Sequence, residues 1–262
     1  MSASAGAAAG GCVATEVLDG GILLVRMRDE VSRNGFTPGL VGGLAEAFTR
    51  AGTDESSRCV VLTGFGNYFA TGGTQEDLLA IQEGKAAFTS VNGAPSDTNL
   101  YSLPLDCPIP VVAAMQGHAV GGGLAFGLAS DFVVLAEEGI YTASFMKYGF
   151  TPGFGSTAVF PDRLGFALGY ELLMSARSVR GRELRDRGVP FPVVPRAQVL
   201  DRALALAREL ADKPRLALVT LKDHMVRDLR ARMPETVRRE LAMHDITFHQ
   251  PEVRERILGR FA

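Results

Sequence analysis

Two short segments of the chain place glycines where a backbone N–H could act on a ligand. The first is Asn67-Tyr68-Phe69-Ala70-Thr71-Gly72-Gly73-Thr74-Gln75-Glu76, which follows an apolar run and leads into a helical pattern. The second is Gln116-Gly117-His118-Ala119-Val120-Gly121-Gly122-Gly123-Leu124-Ala125, again between an apolar run and an apolar helical pattern. Glycine lets the backbone approach a ligand closely, and the N–H groups that open a helix lack partners and attract negative charge. Two such turns side by side can each aim one N–H at a single oxygen. That arrangement is an oxyanion hole, in which one donor is typically worth about 2.7–4 kcal/mol of transition-state stabilisation. Taken singly, a glycine run at such a junction is more often only a tight turn.

The elements that must position these turns are legible around them. Ala14 to Met27 reads as two short strands joined at Asp19-Gly20-Gly21. Thr37 resembles an N-cap, and Leu40, Val41, Leu44, Ala45 and Phe48 recur at helical spacing until Gly52. Cys59–Thr63, Val111–Met115 and Phe132–Ala136 are continuous apolar runs, as expected of strands buried on both faces. Strands separated by helical segments favour sheet layers joined by crossovers. Gln82 to Pro104 has no sustained period and reads as a long loop around a helical fragment; such loops often serve as lids. From Phe166 onward the pattern is helical, with Pro195, Pro214, Pro234 and Pro251 each suited to a break or a first helical turn.

The bulk properties narrow the partners. A chain of 262 residues suits one large α/β domain. Lys+Arg 27 against Asp+Glu 29 leaves no positive excess to draw it onto nucleic acid or anionic lipid. Cys12, Cys59 and Cys107 are odd in number and lack C-x-x-C spacing, so they read as reduced packing residues, neither metal ligands nor a disulfide framework. The Ala- and Gly-rich opening has no basic start and no long apolar core, which fits a flexible leader over residues 1–13 of a cytoplasmic protein better than a signal peptide. No apolar stretch reaches the roughly 20 residues that span a bilayer.

Taken together, the order and separation of the two glycine motifs, with Gly149-Phe150-Thr151-Pro152-Gly153-Phe154-Gly155 downstream, resemble the crotonase (enoyl-CoA hydratase/isomerase) superfamily from about Thr15 to the C-terminus. The resemblance implies an α/β spiral of ββα units over residues 14–195, followed by a C-terminal helical region of the same domain over 196–262. It also implies assembly as a homotrimer or a dimer of trimers, and it assigns the two oxyanion donors to the backbone N–H groups of Gly73 and Gly122.

Family members that hydrate enoyl thioesters carry one glutamate shortly after the Gly-Gly-Gly run and another before the Pro-Gly turn. This sequence has Ala125 and Phe145 there, and neither side chain exchanges a proton, so hydration is disfavoured. Tyr68 to Glu76, Ala114 to His118, Phe145 to Gly153 and Arg187 to Val193 resemble more closely the decarboxylating homologues of polyketide β-branching cassettes. That subgroup implies a 3-methylglutaconyl thioester on an acyl carrier protein as substrate, a 3-methylcrotonyl-type thioester as product, and no cofactor or metal. The chemistry is coherent by itself, because loss of CO2 from a carboxylate vinylogous to a thioester leaves a dienolate whose charge reaches the thioester oxygen.

Two tasks then remain: orienting the departing carboxylate and protonating the dienolate carbon, for which a cation and a histidine are natural choices. By resemblance to the subgroup, Lys85 fits the first and His244 the second. Each has a plainer reading, as a solvated loop lysine and as a packed helix histidine. His249 and His224 are less favoured rivals, and His118, inside the Gly-rich turn, is expected to contribute through its backbone geometry. Phe145, Met146, Phe150 and Phe154 are the expected apolar wall, which would keep water from the reacting carbons, and Tyr148 is expected to line the acyl pocket with Phe145, Met146 and Phe150. The alternatives are an isomerase or thioester hydrolase acting on a CoA-linked acid with the same oxyanion hole, and a non-catalytic crotonase-like scaffold.

Overall fold

The computed structural model describes residues 11–86, 90–91, 94–95 and 100–261. Of the expected leader, residues 1–10 lie outside the described residues, while the Cys12 thiol meets Asp29 Oδ2 at 3.6 Å and Val13 opens the first strand. Strands β1 (Val13–Leu18) and β2 (Ile22–Met27) form an antiparallel hairpin around Asp19-Gly20-Gly21. Helix α1 (Pro38–Thr53) starts at Thr37, whose hydroxyl accepts the Leu40 N–H at 3.3 Å. There follow β3 (Cys59–Thr63), β4 (Tyr68–Ala70), α2 (Gln75–Gln82), the short pair β5 (Ser90–Val91) and β6 (Ala94–Pro95), and α3 (Leu103–Asp106). Then come β7 (Val111–Met115), β8 (His118–Val120), α4 (Gly122–Leu128), β9 (Phe132–Ala136), β10 (Ile140–Thr142), α5 (Ser156–Leu164) and α6 (Phe166–Ser175). After β11 (Val179–Arg180), α7 (Gly181–Asp186) and β12 (Val193–Val194), the helices α8 (Arg196–Ala211), α9 (Arg215–Thr247) and α10 (Pro251–Phe261) close the chain.

The strands form two main sheets, one in the order β1-β2-β3-β7-β9-β12 and one in the order β11-β10-β8-β4. β3, β7 and β9 each lie in the first sheet and pass within a few residues to β4, β8 and β10 in the second. The α/β spiral of ββα units is therefore present, with α8 to α10 as the C-terminal bundle. Each step of the spiral ends at a turn leading out of the second sheet, and both glycine motifs occupy such turns.

Period-two alternation splits the buried strands between two cores. Val60 and Leu62 of β3, with Val111, Ala113 and Met115 of β7, face the main core, which includes α1 and α4. Cys59, Val61, Val112 and Ala114 face the other way, onto Val199, Ala203, Ala207 and Ala211 of α8. This two-sided burial explains why the runs read as continuously apolar. All three cysteines are free.

Three of the four expected proline breaks fall at helix starts: Pro195 and Pro214 cap α8 and α9, and Pro251 opens α10. Pro234 does not break its helix, because α9 runs for 33 residues straight through it. A proline inside a helix costs roughly 3 kcal/mol, but Leu229 and Met233 before it and Glu240 and His244 after it are all buried against the body of the protein. Packing on both sides outweighs the local preference. Parts of the expected loop from Gln82 to Pro104 lie outside the described residues; its end carries a 3-10 turn (Leu100–Ser102) and α3.

Candidate active site

Gly72 and Gly73 follow β4, and Thr74 caps α2 by accepting the Asp77 N–H at 3.1 Å. The turn is braced from the segment before α1. Asn34, buried and at φ +57°, donates through Nδ2 to the carbonyl of Phe69 (3.0 Å) and accepts the Asp29 N–H on Oδ1 (2.8 Å). The Phe36 N–H donates to the Gly72 carbonyl at 2.8 Å, and the Thr71 hydroxyl donates to Ser32 O at 3.2 Å. Asparagine tolerates the left-handed region better than most residues, because its short polar side chain can hydrogen-bond locally.

The second turn leaves β8 at Gly121, whose N–H donates to Thr142 O at 2.8 Å, and Gly122 opens α4. The two turns touch. Gly72 holds φ +77°, and a Cβ built on it would lie 2.8 Å from the Val120 carbonyl oxygen and 3.0 Å from the Gly122 nitrogen. Any side chain there would be strained by its dihedral and would push the turns apart. Among the described residues, neither the Gly73 nor the Gly122 N–H donates a hydrogen bond within the protein.

Around this junction the surface is apolar. Phe36 and Phe154 stack at 5.1 Å, and a Cβ on Gly122 would lie 3.1 Å from the Phe36 ring and 3.4 Å from Phe154. The two positions where hydratases carry glutamates hold Ala125, buried in α4, and Phe145, whose ring lies 4.0 Å from a Cβ built on Gly121. No carboxylate stands at either place.

Rings connect the junction to the C-terminal helices. Phe145 meets Phe150 edge-on at 6.1 Å, Tyr148 stacks on Phe150 at 6.1 Å, and Phe150 meets His244 at 5.7 Å and Phe248 at 4.7 Å. His244 is only 5% exposed. Its Nε2 lies 2.9 Å from the Thr151 carbonyl oxygen, which can only accept, so that nitrogen carries a proton. Burial pulls the imidazole below the usual histidine range, opposed by the carbonyls of Thr151 and Pro152 and the charge of Asp245.

The expected residues thus divide. Phe145, Tyr148, Phe150 and His244 form one cluster, whereas Met146 is exposed. Lys85 stands just beyond the far end of α2, its side chain 73% exposed and its Nζ 2.8 Å from Glu83, which also meets Arg254 of α10. The eight residues of α2 put about 12 Å of helix between it and Gly73. His224 and His249 are exposed, and His118 accepts the Ile140 N–H on Nδ1 at 3.0 Å. Among the described residues no group of three or more His, Cys, Asp or Glu side chains could hold a metal ion. Sequence reasoning missed Asn34, Phe36 and the buried Glu240; the Asn34-Gly35 pair carried a turn signal, but Glu240 was one charge among many on an arginine-rich helix.

A spiral of ββα units with two glycine turns meeting at the ends of neighbouring strands is the architecture of one enzyme family. The chain belongs to the enoyl-CoA hydratase/isomerase family, whose model matches residues 18–261. Within that family it groups with the decarboxylases of polyketide β-branching and not with the hydratases. It is 52% identical to the bacillaene synthase decarboxylase PksI of Bacillus subtilis over 93% of this chain and 95% of that protein. A solved structure of a dehydratase/decarboxylase enzyme couple involved in polyketide β-branching matches with a TM-score of 0.92 and 51% identity, covering 96% of this chain and 100% of the other. The ECH2 decarboxylase domain of CurF from Lyngbya majuscula matches with a TM-score of 0.90 and 42% identity over the same shares.

Proposed function

We propose that this protein decarboxylates a 3-methylglutaconyl thioester, carried on an acyl carrier protein, to a 3-methylcrotonyl-type thioester during polyketide β-branching. The observation that carries the reading is the contact between the glycine turns, with Ala125 and Phe145 where acid–base glutamates would stand. The thioester oxygen accepts the N–H groups of Gly73 and Gly122. The bond to the distal carboxyl carbon breaks, CO2 leaves, and its electron pair runs through the conjugated carbons to the thioester oxygen, where the amides hold the charge. His244 then supplies a proton to the dienolate carbon.

Lys85 orients the carboxylate before it leaves. A firm ion pair would also resist the loss of charge, so its role is positioning, while the wall of Phe145, Tyr148 and Phe150 excludes water and favours the neutral product. On binding, Lys85 exchanges Glu83 for the substrate carboxylate.

The same reading includes a homotrimer or dimer of trimers in the cytoplasm. Phe166, Tyr170 and Met174 form an exposed apolar stripe along α6, of the kind a subunit interface covers. Free cysteines suit a reducing compartment. Among the described residues no helix is long and apolar enough to cross a membrane.

The test is CO2 release from a 3-methylglutaconyl carrier thioester by the purified protein. Turnover of crotonyl-CoA without decarboxylation would overturn the assignment, and free thiol from the same substrates would point to the hydrolase instead.

A further inference from the structure

Glu240 is 1% exposed, one helical turn before His244 on the same face of α9. A carboxylate at that depth is costly unless its lone pairs are filled. Here they are filled from one place: Oε2 accepts the Gly155 N–H at 2.7 Å, and Oε1 accepts the Thr157 N–H at 2.9 Å and the Thr157 hydroxyl at 2.6 Å. All three partners donate. Burial raises the carboxyl's pKa, and these three donors pull the other way by favouring the anion.

The grip matters because of what lies on either side of it. Towards α9, the turn from Thr151 to Thr157 receives His244: Nε2 meets Thr151 O at 2.9 Å, and a Cβ on Gly153 would lie 2.5 Å from the imidazole. Thr151 N–H also donates to the Thr247 hydroxyl at 3.3 Å. Towards the oxyanion junction, the same turn projects Phe154, at φ +64°, onto Phe36 and against Gly122. One seven-residue segment therefore contacts both His244 and Gly122, and Glu240 grips it towards its end, at Gly155 and Thr157.

We propose that Glu240 is a positioning residue for the decarboxylation, holding the Thr151–Thr157 turn so that His244 and the Gly122 amide keep a fixed separation. This rests on the reading of His244 as proton donor. Glu240 itself touches no reacting atom. A glutamine at 240 keeps the size and can still accept from Thr157, but its NH2 faces the Gly155 N–H, donor against donor.

The experiment is a double-mutant cycle on CO2 release, with Glu240→Gln, Thr157→Val, His244→Ala and the two combinations with His244→Ala. Glu240→Gln alone should lower kcat about tenfold with KM within about twofold, and Thr157→Val, which removes one of three bonds at equal volume, about threefold. In the His244→Ala background neither should lower the remaining rate further. A mere loss of folded protein would multiply equally in both backgrounds, so an undiminished effect there overturns the proposal, as do wild-type rates in both single variants. If Glu240→Gln fails to fold, Thr157→Val carries the same comparison. A wild-type rate in His244→Ala alone would instead remove the His244 assignment, and the proposal with it.

Discussion

A Cβ built on Gly72 would stop 3.0 Å from the amide nitrogen of Gly122, so the two turns meet with no side chain between them. Forty-nine-odd residues of spiral separate them in the chain, yet each is placed by its own strand end, and β4 and β8 are neighbours in one sheet.

Gly72→Ala therefore tests the junction. At φ +77° an alanine costs about 1–2 kcal/mol, and its methyl group pushes against Val120 O and Gly122 N. The expected result is a folded protein whose kcat falls about a hundredfold, the scale of one lost oxyanion donor. Steady-state rates within twofold of wild type would contradict it.

Lys85→Ala and His244→Ala should each lower the rate at least tenfold, about 1.4 kcal/mol. They should differ in stability. Lys85 is exposed and paired only on the surface, where an ion pair contributes about 0–1 kcal/mol, so its loss should leave the thermal midpoint nearly unchanged. His244 is buried against Gly153 and Phe150, and its truncation leaves a cavity. Wild-type rates in both variants would clear these residues.

The buried imidazole also sets a pH dependence. Held below the usual histidine value of about 6.5, His244 binds fewer protons in the folded protein than in the unfolded chain as pH falls through that value. Its contribution to stability is thus present above about pH 6.5 and lost below it. Glu240, raised by burial, has the opposite sign: its contribution is present at low pH and lost as pH rises through its folded pKa. Comparing wild type with His244→Gln in urea titrations between about pH 5 and 7.5 isolates the histidine, and the wild-type advantage should shrink on the acid side. Parallel curves would contradict this. As proton donor, His244 should also make kcat/KM fall as pH rises through a value below about 6.5.

Lys222 provides a prediction remote from the chemistry. It is 5% exposed, lies 2.7 Å from Asp131 and donates to the carbonyls of Pro104 (2.8 Å) and Ile109 (3.0 Å). Lys222→Met leaves the Asp131 carboxylate without its cation, though still accepting the Val111 N–H at 2.7 Å, and strips both carbonyls of their donor, and should destabilise the protein by about 3–5 kcal/mol. Chemical denaturation measures it; a loss under about 1 kcal/mol would show that the site relaxes or takes up water.

What could be read from the residues alone was whatever depends on near neighbours. The runs at Cys59, Val111 and Phe132 are apolar because both faces of each strand are covered, and Thr37 caps its helix through a contact three residues away. The missing proton carriers at 125 and 145 were equally plain, since a side chain's chemistry does not depend on the fold. Distances set by distant segments were not legible. Pro234 continues a helix that local preference would end, because buried contacts on both sides outweigh it. Asn34 braces a turn more than thirty residues away, and Glu240 grips amides more than eighty residues earlier in the chain. Local sequence determined which groups are available for the chemistry. Only packing between segments far apart in the chain decided how they face one another, because the direction of a side chain is fixed by the surfaces it is pressed against.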